Sequence, residues 1–133
     1  MILIAHRGNT MGRKPGMENS PEYVNAAVEK GFDCEIDVRY IDGKYYLGHD
    51  NPTYKINEDF LNDKKLWCHA KDGTTLRRML KDGYHCFYDK GPNMNYTLTS
   101  ENYIWHWDGE ANIYVMDENG LVGICNDYVG CLK

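Results

Sequence analysis

Residues 34–47 carry the sequence CEIDVRYIDGKYYL, which predicts a β-hairpin. Apolar and charged side chains alternate strictly from position 34 to position 39, so one face of the first strand is apolar and the other is charged. Asp42-Gly43 is a strong signal for a two-residue turn, and residues 44–47 are therefore the returning strand. The hairpin places Glu35 and Asp37 side by side on the charged face of one strand.

Hydrophobic periodicity and end signals predict the elements on either side of this hairpin. Ser20 is a suitable N-cap for a first helix. A second helix should end at Gly83 and turn Leu76, Met79 and Leu80 inward. The predicted elements are a strand over 2–5, a helix over 20–30, a strand over 66–71, a helix over 74–81 and short strands near 85–88, 96–99, 103–106, 112–115 and 122–125.

The number of predicted strands suggests a fold class. Counting the strands that do not merely close the hairpin gives about eight, which is the strand number of a (β/α)8 barrel. Such a barrel typically takes roughly 250 residues, whereas this chain has 133. We therefore expect an α/β fold, a compact TIM-like (β/α)8 barrel with several helices missing. Residues 1–133 are expected to form a single domain around one core.

Composition argues against several classes of partner. The formal net charge is -5 and no Lys/Arg cluster is longer than a pair, so we expect no nucleic-acid binding. No apolar run approaches the ~18 residues of a membrane span, and the apolar start is too short for a signal peptide.

Five cysteines, an odd number, fit free thiols in a reducing cytoplasm. Barrel strands without helices could be covered by a second copy, which favours a homodimer.

Glu35 and Asp37 point the same way from one strand, so their carboxylates can reach a common ligand. If that face is interior, the two anions repel, and both stay ionised at low cost only with a cation between them. Oxygen ligands with room for water suit Mg²⁺ or Ca²⁺. The alternative is a solvated acidic strand face that is paired with Arg39.

His69 and Lys71 repeat this arrangement on the strand over 66–71, where both have the same parity. They offer a third metal ligand and a cation for a phosphate oxygen. The alternative is an amphipathic edge strand with water on one face.

His6 and His49 each stand at the end of a predicted strand and before a loop. Barrel enzymes draw catalytic side chains from such positions. A strict two-residue turn at 42–43 would place His49 on the face opposite Asp37. A bulge or a change of direction near Gly48 is therefore required.

Several motifs resemble, in order and spacing, those of the glycerophosphodiester phosphodiesterase family. They are Ile4-Ala5-His6-Arg7-Gly8, Glu18-Asn19-Ser20-Pro21, Glu35-Ile36-Asp37-Val38 and Gly48-His49-Asp50, with weaker matches at His69-Ala70-Lys71 and Gly123-Ile124-Cys125-Asn126-Asp127. The resemblance implies a phospholipase-C-like barrel that binds a divalent cation. His69 stands where the family usually has a carboxylate, and an imidazole shifts the expected metal from Ca²⁺ towards Mg²⁺, Mn²⁺ or a later transition metal.

The resemblance and the residue patterns together assign roles to the site residues, with Mg²⁺ as the expected cofactor and Ca²⁺ or Mn²⁺ as alternatives. The expected roles are catalytic for His6 and His49, phosphate-binding for Arg7 and Lys71, metal-binding for Glu35, Asp37 and His69, and supporting for Glu18, Asn19 and Asp127. Trp105, His106 and Trp107 could form an aromatic wall for a substrate head group, but we prefer the interpretation that they belong to the core.

The expected function is metal-dependent hydrolysis of a small-molecule phosphodiester by two-histidine acid/base catalysis. A glycerophosphodiester or a lysophospholipid-like molecule is the expected substrate. Two alternatives stay open at this point. A catalytically inactive barrel could bind a phosphorylated ligand, or an unrelated metal-binding fold could contain Glu-x-Asp by chance.

Overall fold

The computed structural model describes residues 1–89 and 95–132, which contain ten strands and two α-helices. The strands are β1 (Ile2–His6), β2 (Asp33–Ile41), β3 (Lys44–Leu47), β4 (Tyr54–Ile56), β5 (Leu66–Ala70), β6 (Cys86–Phe87), β7 (Tyr96–Leu98), β8 (Ile104–Trp107), β9 (Ile113–Asp117) and β10 (Gly120–Asn126). The helices are α1 (Pro21–Glu29) and α2 (Gly73–Asp82), and two 3-10 segments cover Glu58–Asn62 and Val129–Cys131.

All strands belong to one curled, mixed sheet. The neighbouring strands β10, β1, β2, β5 and β6 are parallel, while β3 and β4 pair antiparallel beyond the second half of β2. The remaining strands β7, β8 and β9 form an antiparallel meander that ends on β10. The curl brings the meander back to β6, where the Ser100 N–H donates to the Cys86 carbonyl at 2.8 Å. The sheet therefore has the shape of a half-barrel.

The predicted TIM-like (β/α)8 barrel is wrong. In the described ranges only α1 and α2 are α-helices, and the strands from β7 to β10 run antiparallel. The connections within that meander have at most five residues. A parallel pair needs a crossover of a dozen or more residues, so these short connections allow hairpins only.

Both helices begin and end where the sequence predicts. The Ser20 hydroxyl accepts a hydrogen bond from the Tyr23 N–H at 3.2 Å and caps α1. Gly83 ends α2 in a left-handed conformation with φ 84°. Local chemistry thus fixes the bounds of the helices to within one residue of the expected ones.

The predicted inward position of Leu80 on α2 is wrong, because its side chain is 51% exposed. The buried face of the helix is centred instead on Thr75 and Met79. Thr75 is drawn inward because its hydroxyl accepts a hydrogen bond from the Tyr40 N–H at 2.9 Å. A polar contact to β2 therefore sets the rotation of α2.

Two apolar cores lie on opposite faces of the sheet. The outer core contains the apolar face of β2 and packs against α1 and α2. The inner core fills the hollow of the curl and consists of Ile4, Trp67, Phe87, Trp105, Val115 and Cys125. Because β-strand side chains alternate, the polar residues two positions beyond several of these lie in the same hollow, above an apolar floor.

The outer face of the meander is apolar and partly exposed. Cross-strand pairing aligns Leu98, Ile104, Met116 and Leu121 in one row across four strands. Leu98 is 62% exposed and Leu121 is 52% exposed. The homodimer expected from uncovered strands stays a prediction.

All five cysteines carry free thiols, as expected, and four of them are buried. Within residues 1–89 and 95–132, no helix has the length and apolarity needed to cross a membrane. The cytoplasmic location stays a prediction.

Candidate active site

A cavity of about 760 Å³ opens at the carboxyl ends of the parallel strands. Its lining includes His6 from β1, Glu35 and Asp37 from β2, His69 from β5 and Asp127, which follows β10. The loops after β1 and after β3 form part of its rim. The carboxyl ends of parallel strands lie at the same edge of a sheet. Residues that are far apart in the sequence therefore meet here.

Glu35, Asp37 and His69 form a compact group of metal-ligand type. One ligand atom from each residue lies within 4.8 Å of the others. The register brings them together, because Asp37 on β2 is the direct neighbour of His69 on β5. Glu35 is 3% exposed and Asp37 is 1% exposed, so the alternative of a solvated acidic strand face is wrong.

Two carboxylate oxygens in this group, Oε1 of Glu35 and Oδ1 of Asp37, are buried and lack a hydrogen-bond partner among the described residues. Burial and then the charge of Asp37 raise the pKa of Glu35. Paired buried carboxylates with unused lone pairs, beside an imidazole, fit a divalent cation.

Asp37 has cationic neighbours within the protein. Burial would raise the pKa of its carboxyl group, but His69, Arg7 and Lys71 together hold it well below the usual range. His69 Nδ1 lies 3.3 Å from Oδ1, Lys71 Nζ lies 3.7 Å from Oδ1, and Arg7 Nε lies 3.2 Å from Oδ2. Asn19 fixes the same residue by donating from Nδ2 to Oδ2 at 3.0 Å and accepting from its backbone N–H at 2.9 Å.

His6 is oriented by Asp127, whose Oδ1 lies 2.8 Å from its Nδ1. Its Nε2 lies 3.9 Å from Oε1 of Glu35. Burial lowers the pKa of His6, but the hydrogen bond to Asp127 and the charge of Glu35 outweigh burial and raise it. Asp127 and Glu35 therefore make protonation of this imidazole easier than in a free histidine side chain.

His49 enters the cavity because the chain changes direction at Gly48, as the hairpin geometry requires. The β2–β3 ladder ends at the pair Val38 and Leu47. A Cβ atom at Gly48 would lie 1.8 Å from the Asn51 carbonyl oxygen, so only glycine fits. His49 then lines the same cavity as His6, and its Nδ1 lies 2.8 Å from Oδ1 of Asp50.

The remaining predicted residues take different places. Arg7 and Glu18 both line the cavity and pair with each other, Nη1 to Oε1, at 3.2 Å. Lys71 lies beside Asp37 but is not among the described residues that line the cavity. Its contact with a phosphate stays a prediction.

Sequence reasoning missed two residues near the site: Asn9, which supports it from beneath, and Asp89, which lines the cavity. Asn9 is fully buried, and its Nδ2 donates to Oε2 of Glu18 at 3.1 Å and to Oδ1 of Asp127 at 3.0 Å. No pattern in the sequence marks it, because it lies in a loop. Asp89 has Oδ1 3.8 Å from His69 Nε2. Its position two residues after the buried Phe87 is the signal that could have found it.

The aromatic run near the end of β8 divides between the two faces. Trp105 is 4% exposed and belongs to the inner core, which confirms the core interpretation for this residue. Trp105 and Trp107 both line the cavity. His106 points away and packs against Tyr96, with 4.2 Å between the centroids of the two tilted rings.

No protein-family model, no curated protein and no solved structure matches this chain. The resemblance to glycerophosphodiester phosphodiesterases therefore stays a prediction that rests on the motifs alone. The comparisons give no support to a hydrolase or phosphodiesterase assignment, and the functional argument depends on the geometry of the site.

Proposed function

We propose that the protein is a metal-dependent phosphodiester hydrolase with a small-molecule substrate, such as a glycerophosphodiester or a lysophospholipid-like molecule. The observation that carries the proposal is the convergence of His6, His49 and the buried group of Glu35, Asp37 and His69 on one cavity. Phosphodiester cleavage needs charge neutralisation, a base for the nucleophile and an acid for the leaving alkoxide. The cavity offers a candidate group for each task.

Glu35, Asp37 and His69 would hold the cation, with Mg²⁺ as the first choice and Mn²⁺ or Ca²⁺ as alternatives. A bound divalent cation supplies Lewis-acid stabilisation of the negative charge on the phosphoryl oxygens. The protein holds the carboxylates of Glu35 and Asp37 in fixed, buried positions where they can bind the cation. Asn19 does this for Asp37 through its two hydrogen bonds.

His6 and His49 share the proton transfers. With Nδ1 of His49 hydrogen-bonded to Asp50, Nε2 accepts the proton of the attacking hydroxyl, which belongs to water or to the substrate. The new phosphorus–oxygen bond forms while the bond to the leaving alcohol breaks. His6, held by Asp127, donates its Nε2 proton to the leaving oxygen. Arg7, at the rim of the cavity, pairs with a phosphoryl oxygen.

Hydrolysis assays test the proposal. Glycerophosphodiesters, lysophospholipids and a chromogenic bis-aryl phosphate are offered with Mg²⁺, Mn²⁺, Ca²⁺ or a chelator. We expect metal-dependent turnover that falls by about 10²–10⁴-fold in His6→Ala and in His49→Ala. The matched control is His106→Ala, because that imidazole lies outside the cavity. Turnover that is indifferent to the chelator and to both histidine substitutions would overturn the proposal.

A second candidate function is binding of a phosphorylated ligand without turnover. The cationic neighbours of Asp37 favour it, because Arg7 and Lys71 neutralise part of the buried charge without a metal. Calorimetry with a phosphate monoester and with a phosphodiester distinguishes the two functions. Binding without hydrolysis, unaffected by His6→Ala and His49→Ala, would favour the inactive site.

The proposed activity is assigned to the cytoplasm, because the four buried thiols are unpaired and reduced thiols persist there. Fractionation of cells that express the protein tests this location. Recovery in a secreted fraction with oxidised cysteines would contradict it.

A further inference from the structure

The position of His49 depends on its backbone more than on contacts of its ring. The side chain is 43% exposed. Among residues 1–89 and 95–132, its ring makes a polar contact with the neighbouring Asp50 alone, whose own side chain is 85% exposed. Two exposed neighbours in sequence cannot fix each other in space, since surface ion pairs contribute little. Something else must hold the loop that carries this imidazole.

Three hydrogen bonds fix the backbone at positions 48 and 49. The Gly48 N–H donates to the Asp37 carbonyl at 3.1 Å. Arg39 donates from Nε to the Gly48 carbonyl at 3.1 Å and from Nη2 to the His49 carbonyl at 2.6 Å. Both Arg39 bonds are charge-assisted, and they come from one planar, pre-organised fork.

Arg39 is free for this task because it does not neutralise the acidic pair on its own strand face. Asp37 pairs with Arg7, His69 and Lys71. The guanidinium group of Arg39 is directed instead to the two loop carbonyls. The same strand, β2, therefore presents Asp37 for the metal group and Arg39 for the loop that carries His49.

We propose that Arg39 is the positioning residue for His49. Its fork joins the loop after β3 to the strand that carries Glu35 and Asp37, and so sets the distance between the imidazole and the reacting phosphate. This inference rests on the proposed function for its effect on rate. A displacement of about 1 Å can cost roughly 10²-fold in rate, so loss of the fork should be visible.

The kinetic test compares Arg39→Gln and Arg39→Lys with Arg77→Gln, a matched change at an exposed arginine of α2. We expect R39Q to lower kcat by about 10–100-fold with KM changed less than about threefold, because proton transfer and not binding is disturbed. R39K should recover part of the rate, since a single ammonium can reach one carbonyl only. R77Q should behave like the wild type.

A double-mutant cycle separates positioning from a general structural role. In a His49→Ala background, R39Q should change the residual rate by less than about twofold, because the residue acts through that imidazole. An equal loss in both backgrounds would overturn the inference.

Amide hydrogen exchange gives a readout that needs no turnover. Without substrate, residues 48–51 should exchange faster in R39Q than in the wild type and in R77Q, while β1 and β5 stay unchanged. Unchanged exchange at 48–51 would overturn the inference. If the wild type hydrolyses no phosphodiester, the proposed function fails and the exchange result alone decides whether Arg39 anchors the loop.

Discussion

Replacing Glu35 with Gln tests whether this carboxylate is kept for a cation. The side chain is 3% exposed, and its Oε1 has no hydrogen-bond partner among the described residues. Burial and the charge of Asp37 raise the pKa of Glu35, so its ionised form is less stable in the folded protein than in the unfolded chain. Gln has almost the same shape and no charge. We therefore expect E35Q to stabilise the protein in the absence of metal.

The magnitude follows from the buried negative charge, which glutamine does not carry. A buried polar group left without a partner costs about 1–3 kcal/mol, and more when it is charged. The contacts of Glu35 with His6 and His69, both at 3.9 Å, are too long to offset much of that cost. In a chelator, the free energy of unfolding of E35Q should exceed that of the wild type by about 1–3 kcal/mol.

A bound metal ion should reduce the difference in the free energy of unfolding between E35Q and the wild type. A ligand at 100 times its Kd adds about 2.7 kcal/mol to the stability of a protein that binds it in the folded state. The wild type should gain this amount with Mg²⁺ or Mn²⁺, and E35Q should gain little because one carboxylate ligand is lost. The two proteins should then be almost equally stable.

Urea unfolding followed by tryptophan fluorescence measures both effects, with chelator and with saturating metal. The matched control is Glu118→Gln, an exposed glutamate in the β9–β10 turn, which should change stability by less than about 0.5 kcal/mol. If E35Q is less stable than the wild type in chelator, other groups of the folded protein stabilise the Glu35 carboxylate without a bound cation. The reasoning from an unused carboxylate would then be refuted.

Three further predictions use the same unfolding assay. Burial lowers the pKa of His85, so below pH 6.5 the unfolded chain takes up a proton that the folded protein does not. The free energy of unfolding should therefore decrease as the pH is lowered. His85→Gln should flatten that slope, and an unchanged slope would contradict the assignment. Gly48→Ala should cost about 3 kcal/mol or more, since its Cβ would meet the Asn51 carbonyl oxygen at 1.8 Å. Met79→Ala should cost about 2–5 kcal/mol because Met79 is fully buried, and a loss below about 1 kcal/mol would show that the core relaxes around it.

The elements near the site could be predicted because their signals are local. Alternation in β2 places Glu35 and Asp37 on one face and the apolar residues Cys34, Ile36 and Val38 on the other. In the structure both sets of side chains are buried. The turn at 42–43 fixed the register well enough to require a change of direction at Gly48. Side-chain parity and turn length are properties of the chain itself, so no tertiary information was needed.

The fold class failed because it came from a strand count and not from the connections. Short connections between β7, β8, β9 and β10 exclude parallel crossovers, and this information was present in the sequence. The rotation of α2 failed for a different reason. It depends on the hydrogen bond from the Tyr40 N–H to Thr75, a tertiary contact that no helical periodicity reveals.

The hydrogen bonds of Asn9 that support the site could not be predicted from sequence patterns either. Asn9 bridges Glu18 and Asp127, which lies 118 positions after Asn9 in the sequence. Its Oδ1 also accepts a hydrogen bond from the Tyr23 hydroxyl at 2.9 Å. A single asparagine in a loop has no periodicity. Only the parallel pairing of β1 with β10 brings these groups together.

Binding of Mn²⁺, followed by electron spin echo spectroscopy of the bound ion, tests the metal group most directly. We expect one tightly bound Mn²⁺ that shows ¹⁴N coupling from a single imidazole in the wild type. His69→Gln should remove the coupling, and Asp37→Asn should remove the binding. A wild-type protein that binds no Mn²⁺, or a ¹⁴N signal that persists in His69→Gln, would contradict the assignment of Glu35, Asp37 and His69 as the metal ligands.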